Sequence, residues 1–371
     1  MQFSHFVVIL FIAFIVHIQA ETNVRTLEGA IGKGNSNWIQ KTLHLNDGKY
    51  ISSGIDVSNI HISLIGSKNT EIEQDGVAIS RAIFFGEESK ISLQNLRFRS
   101  LGNLVAIIER QSMMIFADNT FVGSNIKNCF EVEGGELVIN NLNLDFENSN
   151  ERRISNLISF SELGGYIHVE KTQLDDIIIE GGRALLGNEY TNGISLVNCK
   201  FNKLHLDRSS TSNKANNIIG QADIVIKDCT FIDVENALVG GIVSGLNQNG
   251  KLLIVSSSFT NCHNTKIQQI SLSNKQGTQT NITSGDATFK DTHFDNCDSE
   301  YGGGINFVSD GILLVKDCKF RNCISNQGRG GALYVQGSGE HTIKDCQFSS
   351  CIAQSDTISE GGSVYIAGGT N

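Results

Sequence analysis

The chain has 371 residues, a formal net charge of −10, 38 glycines, nine cysteines and no proline. An acidic balance without a run of Lys or Arg excludes the clustered basic face that a nucleic-acid partner requires. Average usage would give roughly 18 prolines, and because proline cannot donate to a sheet ladder, its absence fits a chain made largely of stacked strand.

Residues 1–20 read as a cleavable signal peptide. Phe6 to Ile18 is apolar but short for a bilayer span, and Ile18-Gln19-Ala20 sets a small residue before the polar Glu21-Thr22-Asn23. Met1 to His5 lacks the usual Lys or Arg, which leaves an uncleaved anchor or a buried helix as alternatives. No second apolar run of membrane length follows. The mature chain, 21–371, is therefore expected to be secreted or displayed on the cell surface, with no transmembrane segment. No linker or low-complexity tract divides it, so one domain is predicted.

Residues 21–50 are predicted to cap that domain and begin its strands. Thr26 to Ile31 reads as a short amphipathic helix, and Leu43-His44-Leu45 and Gly48-Lys49-Tyr50 open the strands. A cap is needed because the open end of a stack of strands is an exposed sheet edge. Ile60, Ile62 and Leu64 then alternate with polar residues as one buried face requires.

From residue 93 a short pattern recurs: an apolar residue, any residue, Asp/Asn/Ser, a small or apolar residue, any residue, Phe. It stands as VKDCKF (Val315–Phe320), IKDCQF (Ile343–Phe348), IKDCTF (Ile226–Phe231) and LVNCKF (Leu196–Phe201). Looser copies end at Phe98, Phe121, Phe259 and Phe294, and two more place Leu144 and Leu174 in the Phe slot. Successive anchors lie 23 to 35 residues apart, and two glycines with an apolar strand follow at variable distance, as in GGALYV (Gly330–Val335) and GGSVYI (Gly361–Ile366).

This spacing excludes propeller blades, which need four strands in about 40–45 residues, and the lack of a sustained 3.6-residue period excludes helical repeats. A coil of three strands and three turns fits. The predicted fold is all-β, a single-stranded right-handed parallel β-helix of about 12–13 coils, on the order of 60 Å long at strand spacing. Phe98, Phe121, Phe201, Phe231, Phe259, Phe294, Phe320 and Phe348 are expected to point inward as one stack. After the strand ending at Ile366 the chain reaches Gly368-Gly369-Thr370-Asn371 with no visible cap.

The Gly330-Gly331-Ala332-Leu333 run and the preceding Phe320-Arg321-Asn322-Cys323 resemble the repeats of polymorphic outer membrane proteins and related right-handed β-helix proteins of the pectin-lyase-like superfamily. The resemblance covers about residues 90–371. It departs in detail, because Cys often stands where that family's motif has its second Asn, and no C-terminal membrane barrel follows. It implies a fold, and a site must be argued from the residues themselves.

The cysteines fall in two sets. Cys199, Cys229, Cys318 and Cys346 sit two residues before an anchor, and Cys262, Cys297, Cys323 and Cys351 three residues after one. In one reading they are buried small residues in two ladders, since Ser257, Thr292, Leu96 and Leu142 fill the same slot elsewhere. In the other, neighbouring coils are bridged as Cys199–Cys229, Cys318–Cys346, Cys262–Cys297 and Cys323–Cys351, which the compartment permits. Neither their spacing nor the scattered histidines form a metal pattern. No metal, cofactor or other bound group is expected.

Catalytic candidates are few. Asp175-Asp176 is the only tempting carboxylate pair for a glycosidase, which needs two carboxylates at set separation. The nearby elements of pectin hydrolases are missing, so a turn after a strand is the simpler reading. His205-Leu206-Asp207-Arg208 opens a polar loop. Asn281-Ile282-Thr283 is a sequon for N-glycosylation. Long insertions at Asp207–Asn217, Asn264–Gly285 and Ala353–Glu360 share one part of the repeat, a pattern that can mark a binding edge. The expected function is non-catalytic adhesion, or binding of an extracellular protein or glycan along that edge. The alternative is a polysaccharide lyase or glycoside hydrolase.

Overall fold

The computed structural model describes residues 25–368, apart from 32–40, 76–81, 100–103, 124, 128, 148–151, 156, 180–185, 187–189, 207–217, 220–222, 237–242, 245–249, 265–279, 283–284 and 356–358. Residues 1–20, where a signal peptide is expected, the Asp207–Asn217 insertion and most of Asn264–Gly285 lie outside the described residues. The protein is a right-handed parallel β-helix. Twelve strands, from Lys41–His44 to His341–Lys344, pair in sequence order to make one long face. Every paired strand is parallel to its neighbour one coil away, so equivalent side chains form rows: Leu196, Ile226, Ile254, Phe289, Val315 and Ile343 are one such inward row. The short helix Leu27–Ile31 packs Leu27 into the first coil, at 0% exposure.

One continuous core runs from Leu27 to Val364 along the rod. No coil could bury its apolar face alone, which is why the pattern must repeat. The early coils have three strands, as in Lys90–Gln94, Arg97–Arg99 and Leu104–Ile108. The later ones have four, and this corrects the three-strand expectation: Asp286–Lys290, His293–Asp295, Asp298–Ser299 and Ile305–Val308 make one coil. The added corner comes from a single residue with left-handed backbone, Asn296 at φ 52°.

Such corners explain the Asp/Asn/Ser of the repeat. Asp228, Ser256, Asp291, Asp317 and Asp345 all have φ between 48° and 55°. Short polar side chains tolerate this region better than others because they bond the nearby backbone. At the second corner the amides also bond along the rod, Asn296 Nδ2 donating to Asn261 Oδ1 at 2.8 Å and Asn261 Nδ2 to Asp233 Oδ1 at 2.9 Å.

The anchor phenylalanines do not form one stack. Phe98 and Phe121 belong to an N-terminal sheet that ends at Asn143–Asp145, whereas Phe201 to Phe348 belong to a separate sheet entered through Gln173–Ile179. Leu144 and Leu174 stand between them, and their two strands are not paired. Beyond that break six rings stack in register. Phe201, Phe231, Phe259, Phe294, Phe320 and Phe348 have centroids 4.8–5.0 Å apart and planes within 9° of parallel. Phe348, in the last coil, is only half-buried.

All nine cysteines are free thiols, and each ladder has a hydrogen-bonding task at a corner. Two residues before the anchor, the side chain of one coil accepts a backbone N–H from the coil before it. Cys199 N–H reaches Cys229 Sγ at 3.4 Å, Cys229 N–H reaches Ser257 Oγ at 3.2 Å, and Leu96 N–H reaches Asn119 Oδ1 at 2.8 Å. In the second ladder the thiols of Cys262, Cys297, Cys323 and Cys351 donate to carbonyls of Phe231, Phe259, Phe294 and Phe320 at 3.5–3.7 Å. Burial holds the Cys129 and Cys297 thiols protonated, well above their ordinary pKa. Cys346 is half-buried, and the hydrogen bond from Cys318 lowers its pKa. Alkylation of the native protein near pH 8 is therefore expected to modify Cys346 first. Denaturation without reductant should expose nine alkylatable thiols, and peptide mapping that recovers the four inter-coil bridges would overturn the ladder assignment.

Candidate ligand groove

The strands that carry the last three rings of the Phe stack are three residues long, with the ring pointing inward, so its two neighbours must point outward. In the last three coils those triplets are His293-Phe294-Asp295, Lys319-Phe320-Arg321 and Gln347-Phe348-Ser349, paired in register. They form two outward rows, His293/Lys319/Gln347 and Asp295/Arg321/Ser349. Between the rows lies a groove of about 320 Å³ floored by Phe294 and Phe320. Ligand sites begin at about this volume.

Within it Arg321 grips Asp295 with both ends of its fork, Nε lying 2.8 Å from Oδ1 and Nη2 bonding Oδ2. That hydrogen bond lowers the Asp295 pKa and raises that of Arg321. A bidentate pair of this kind fixes both side chains in place. His293, Lys319, Gln347 and Ser349 point into the same space, and none of their side chains is engaged in a hydrogen bond or ion pair among the described residues. The outer face of the N-terminal sheet differs. There Arg99 is held by Glu71 at 3.0 Å and also bonds Glu147, Arg97 meets Asp145 at 2.8 Å, and Lys49 meets Glu73. Its charges satisfy one another, while the groove keeps two cationic or titratable donors and two neutral polar groups available.

Asp175 and Asp176 do not join this site. Both are exposed on the strand Gln173–Ile179. Asp175 accepts a bond from Asn202 Nδ2, and its backbone carbonyl accepts one from Arg152 at 3.3 Å. Asp176 forms the corner itself, at φ 56°. Asp175 shares an outward row with Asp295, through Asn202, Ile232 and Thr260. Four strand steps separate the two carboxylates, about 19 Å, against the ~5–9.5 Å that glycosidases use. The groove itself is lined by one carboxylate among the described residues. No group of three or more His, Cys, Asp or Glu among the described residues is arranged to hold a metal ion.

His205 lies elsewhere, past the second corner, where an outward row runs His205, Glu235, His263, Asp298. His263 Nδ1 bonds Asp298 Oδ1, and His205 Nδ1 lies 3.6 Å from Glu235. The bond to Asp298 raises the His263 pKa, assisted by Asp298, Asp233 and Glu235 charges and opposed by burial. A raised histidine pKa stabilises the fold fully below the unfolded value near 6.5 and loses that contribution as pH rises through the folded value. Urea unfolding should therefore show wild type gaining stability over His263→Gln at pH 5.5 and not at pH 8. The gain should stay below ~1 kcal/mol, because the ring is half-exposed and solvent screens it. An equal difference at both pH values would contradict the assignment.

Asp207 and Arg208 lie outside the described residues, as do the tips of the long insertions. Asn281 is in the strand Thr280–Ile282, in register with Asn306. A feature missed in sequence is the tyrosine row beside it: Tyr334 and Tyr365 stack at 5.3 Å, Tyr301 lies 5.1 Å from Tyr334, and Arg329 covers Tyr365 while pairing with Glu360 at 3.2 Å. Tyr in the same slot of GGALYV and GGSVYI was the available signal. For the groove the signal was the pair of residues flanking each anchor Phe.

No helix among the described residues is long and apolar enough to cross a membrane. No protein-family model matches the chain. No curated protein matches it in sequence. Among solved structures it is similar to the catalytic domain of a GH87 alpha-1,3-glucanase solved with tetrasaccharides, at 12% identity over 96% of this chain and 71% of that one, with a TM-score of 0.44. It is also similar to PfbA, a surface adhesin of Streptococcus pneumoniae, at 10% identity over 88% of this chain and 85% of that one, with a TM-score of 0.38.

Proposed function

We propose that this is a non-catalytic secreted or surface-displayed protein that binds a glycan in the groove formed by His293, Asp295, Lys319, Arg321, Gln347 and Ser349. The observation that carries the reading is the set of unengaged side chains on a rigid floor. Sugar hydroxyls need several fixed donors and acceptors, and strands hold side chains more firmly than loops do. Asp295 is already neutralised by Arg321 and stands without a second carboxylate in the lining among the described residues, which supports holding a chain rather than cutting it. The enzyme reading keeps one supporting observation, the presence of His293, Lys319 and Arg321 in the same lining as Asp295.

The test is a panel of immobilised polysaccharides probed with the mature protein, followed by titration of the best binder. Lys319→Ala is expected to weaken binding by about 10-fold, the usual effect of losing a hydrogen bond from a charged donor. Lys90→Ala, on the distant N-terminal part of the long face, should leave binding unchanged. Equal binding by wild type and Lys319→Ala would remove the groove as the site.

A further inference from the structure

The outer face of the long sheet carries a second pattern, independent of the groove. Strands expose alternate residues, so each exposes a first, a middle and a last position. Over the final six strands the middle row reads Ser195, Val225, Leu253, Thr288, Leu314, Thr342. The last-position row reads Val197, Lys227, Val255, Lys290, Lys316, Lys344. The first-position row holds Gly193, Asp223, Lys251 and Asp286, continued by Ile312 and Glu340. Leu253 and Ile312 are 38% and 54% exposed, the large apolar exceptions on this stretch of the face. Three strands thus begin with an acid and end with a lysine: Asp223/Lys227, Asp286/Lys290 and Glu340/Lys344.

We propose that this face pairs with the same face of a second copy, the two rods lying parallel about a two-fold axis that runs along them. The charge pattern selects both the partner and the direction. Rotation about an axis along the rods lays the first-position row of each copy over the last-position row of the other, at the same level. Asp223, Asp286 and Glu340 then meet Lys227, Lys290 and Lys344 of the partner copy, and Val225, Leu253 and Leu314 meet their own equivalents on the axis. An axis across the rods lays lysine row on lysine row and is disfavoured. Self-complementarity of this kind is what a two-fold interface demands.

The carboxylates are not consumed within the chain. Asp223 and Asp286 each use one oxygen, Oδ1, for the N–H of Lys251 and Ile312, at 3.1 and 2.8 Å. Lys290 and Lys316 lie 3.9 and 3.7 Å from the corner carboxylates Asp291 and Asp317, loose exposed contacts that leave each ammonium able to take a partner. Six strands by five residues cover about 25 by 16 Å, or roughly 800 Å² over both copies. That is the small end of specific interfaces, where association is weak.

Sedimentation equilibrium of the mature chain between about 1 and 100 μM should show a reversible monomer–dimer equilibrium. Leu253→Lys is expected to raise the dissociation constant by about 10-fold or more, as for a central interface residue, with unchanged circular dichroism. Glu340→Lys and Lys344→Glu should each weaken the dimer, and the double exchange should restore it, because opposite charges then face each other again. Neither side chain bonds within the chain among the described residues, so folding is not at stake. A chain that stays monomeric throughout, a dimer indifferent to Leu253→Lys, or a double exchange that fails to rescue would each overturn the proposal.

Discussion

Phe259→Ala is expected to lower the free energy of unfolding by about 3–5 kcal/mol, the range for deleting a fully buried aromatic ring. Phe259 is at 0% exposure in the middle of the six-ring stack, parallel to Phe231 at 4.8 Å and to Phe294 at 5.0 Å. Removal opens a void whose walls cannot close, because the flanking rings are held by strands paired on both sides. Stacked contacts beyond area burial add about 0.5–1.5 kcal/mol per pair. Phe348→Ala, at the half-buried end of the row with one ring neighbour, should cost clearly less. Urea unfolding followed by circular dichroism measures both, and equal losses at the two positions would contradict a stack loaded from both sides.

Gly331→Ala should be at least as damaging, about 4 kcal/mol or more, or should leave the last coil unfolded. A Cβ at this position would sit 2.5 Å from the carbonyl oxygen of Gly362 and 2.5 Å from the backbone nitrogen of Ile352. Both obstacles are backbone, and Gly331 N–H is itself bonded to Gly362 O at 2.8 Å, so neither side can retreat without breaking the ladder. Gly362→Ala is the matched control. Nothing lies within 4 Å of its Cβ position, and it should change stability by less than ~0.5 kcal/mol. Amide exchange of the final two coils compares them directly, and similar protection in both variants would show that the close approach is not needed.

The double glycine illustrates what was legible. Its recurrence marked a coil boundary in the sequence, together with the Phe slot, because each reflects a constraint that every coil must meet. Gly302, Gly330 and Gly361 take φ of 56–60°, while the second glycine of the pair at Gly331 admits the neighbouring backbone. The break between Phe121 and Phe201 was also written in the chain, as Leu144 and Leu174. Treating Leu as a conservative filler hid the change of sheet there. The corner role of Asp, Asn and Ser, and the way Cys, Ser, Thr and Asn share the N–H-accepting slot before the anchor, depend on backbone angles that a pattern of residue types does not display.

The groove was harder to read for a different reason. Its rows join residues 26 to 28 apart, such as His293, Lys319 and Gln347, and insertions between anchors shift that interval from coil to coil. The register of each coil against the next must be known before outward residues can be assigned to a common row. Asp175-Asp176 attracted attention because the two are adjacent in sequence. In the fold, adjacency along a strand sends neighbours to different sides or to a corner, and it is equivalence between coils that brings side chains together.

Prolonged incubation of the protein with the best binder from the polysaccharide panel, followed by chain-length and reducing-end analysis, tests the proposed non-catalytic glycan binding most directly. The glycan should be recovered at its original length after binding at the His293–Ser349 groove, since the single carboxylate that lines it among the described residues, Asp295, is held by Arg321. Shortened chains whose formation is abolished by Asp295→Asn would contradict it and assign the groove to catalysis.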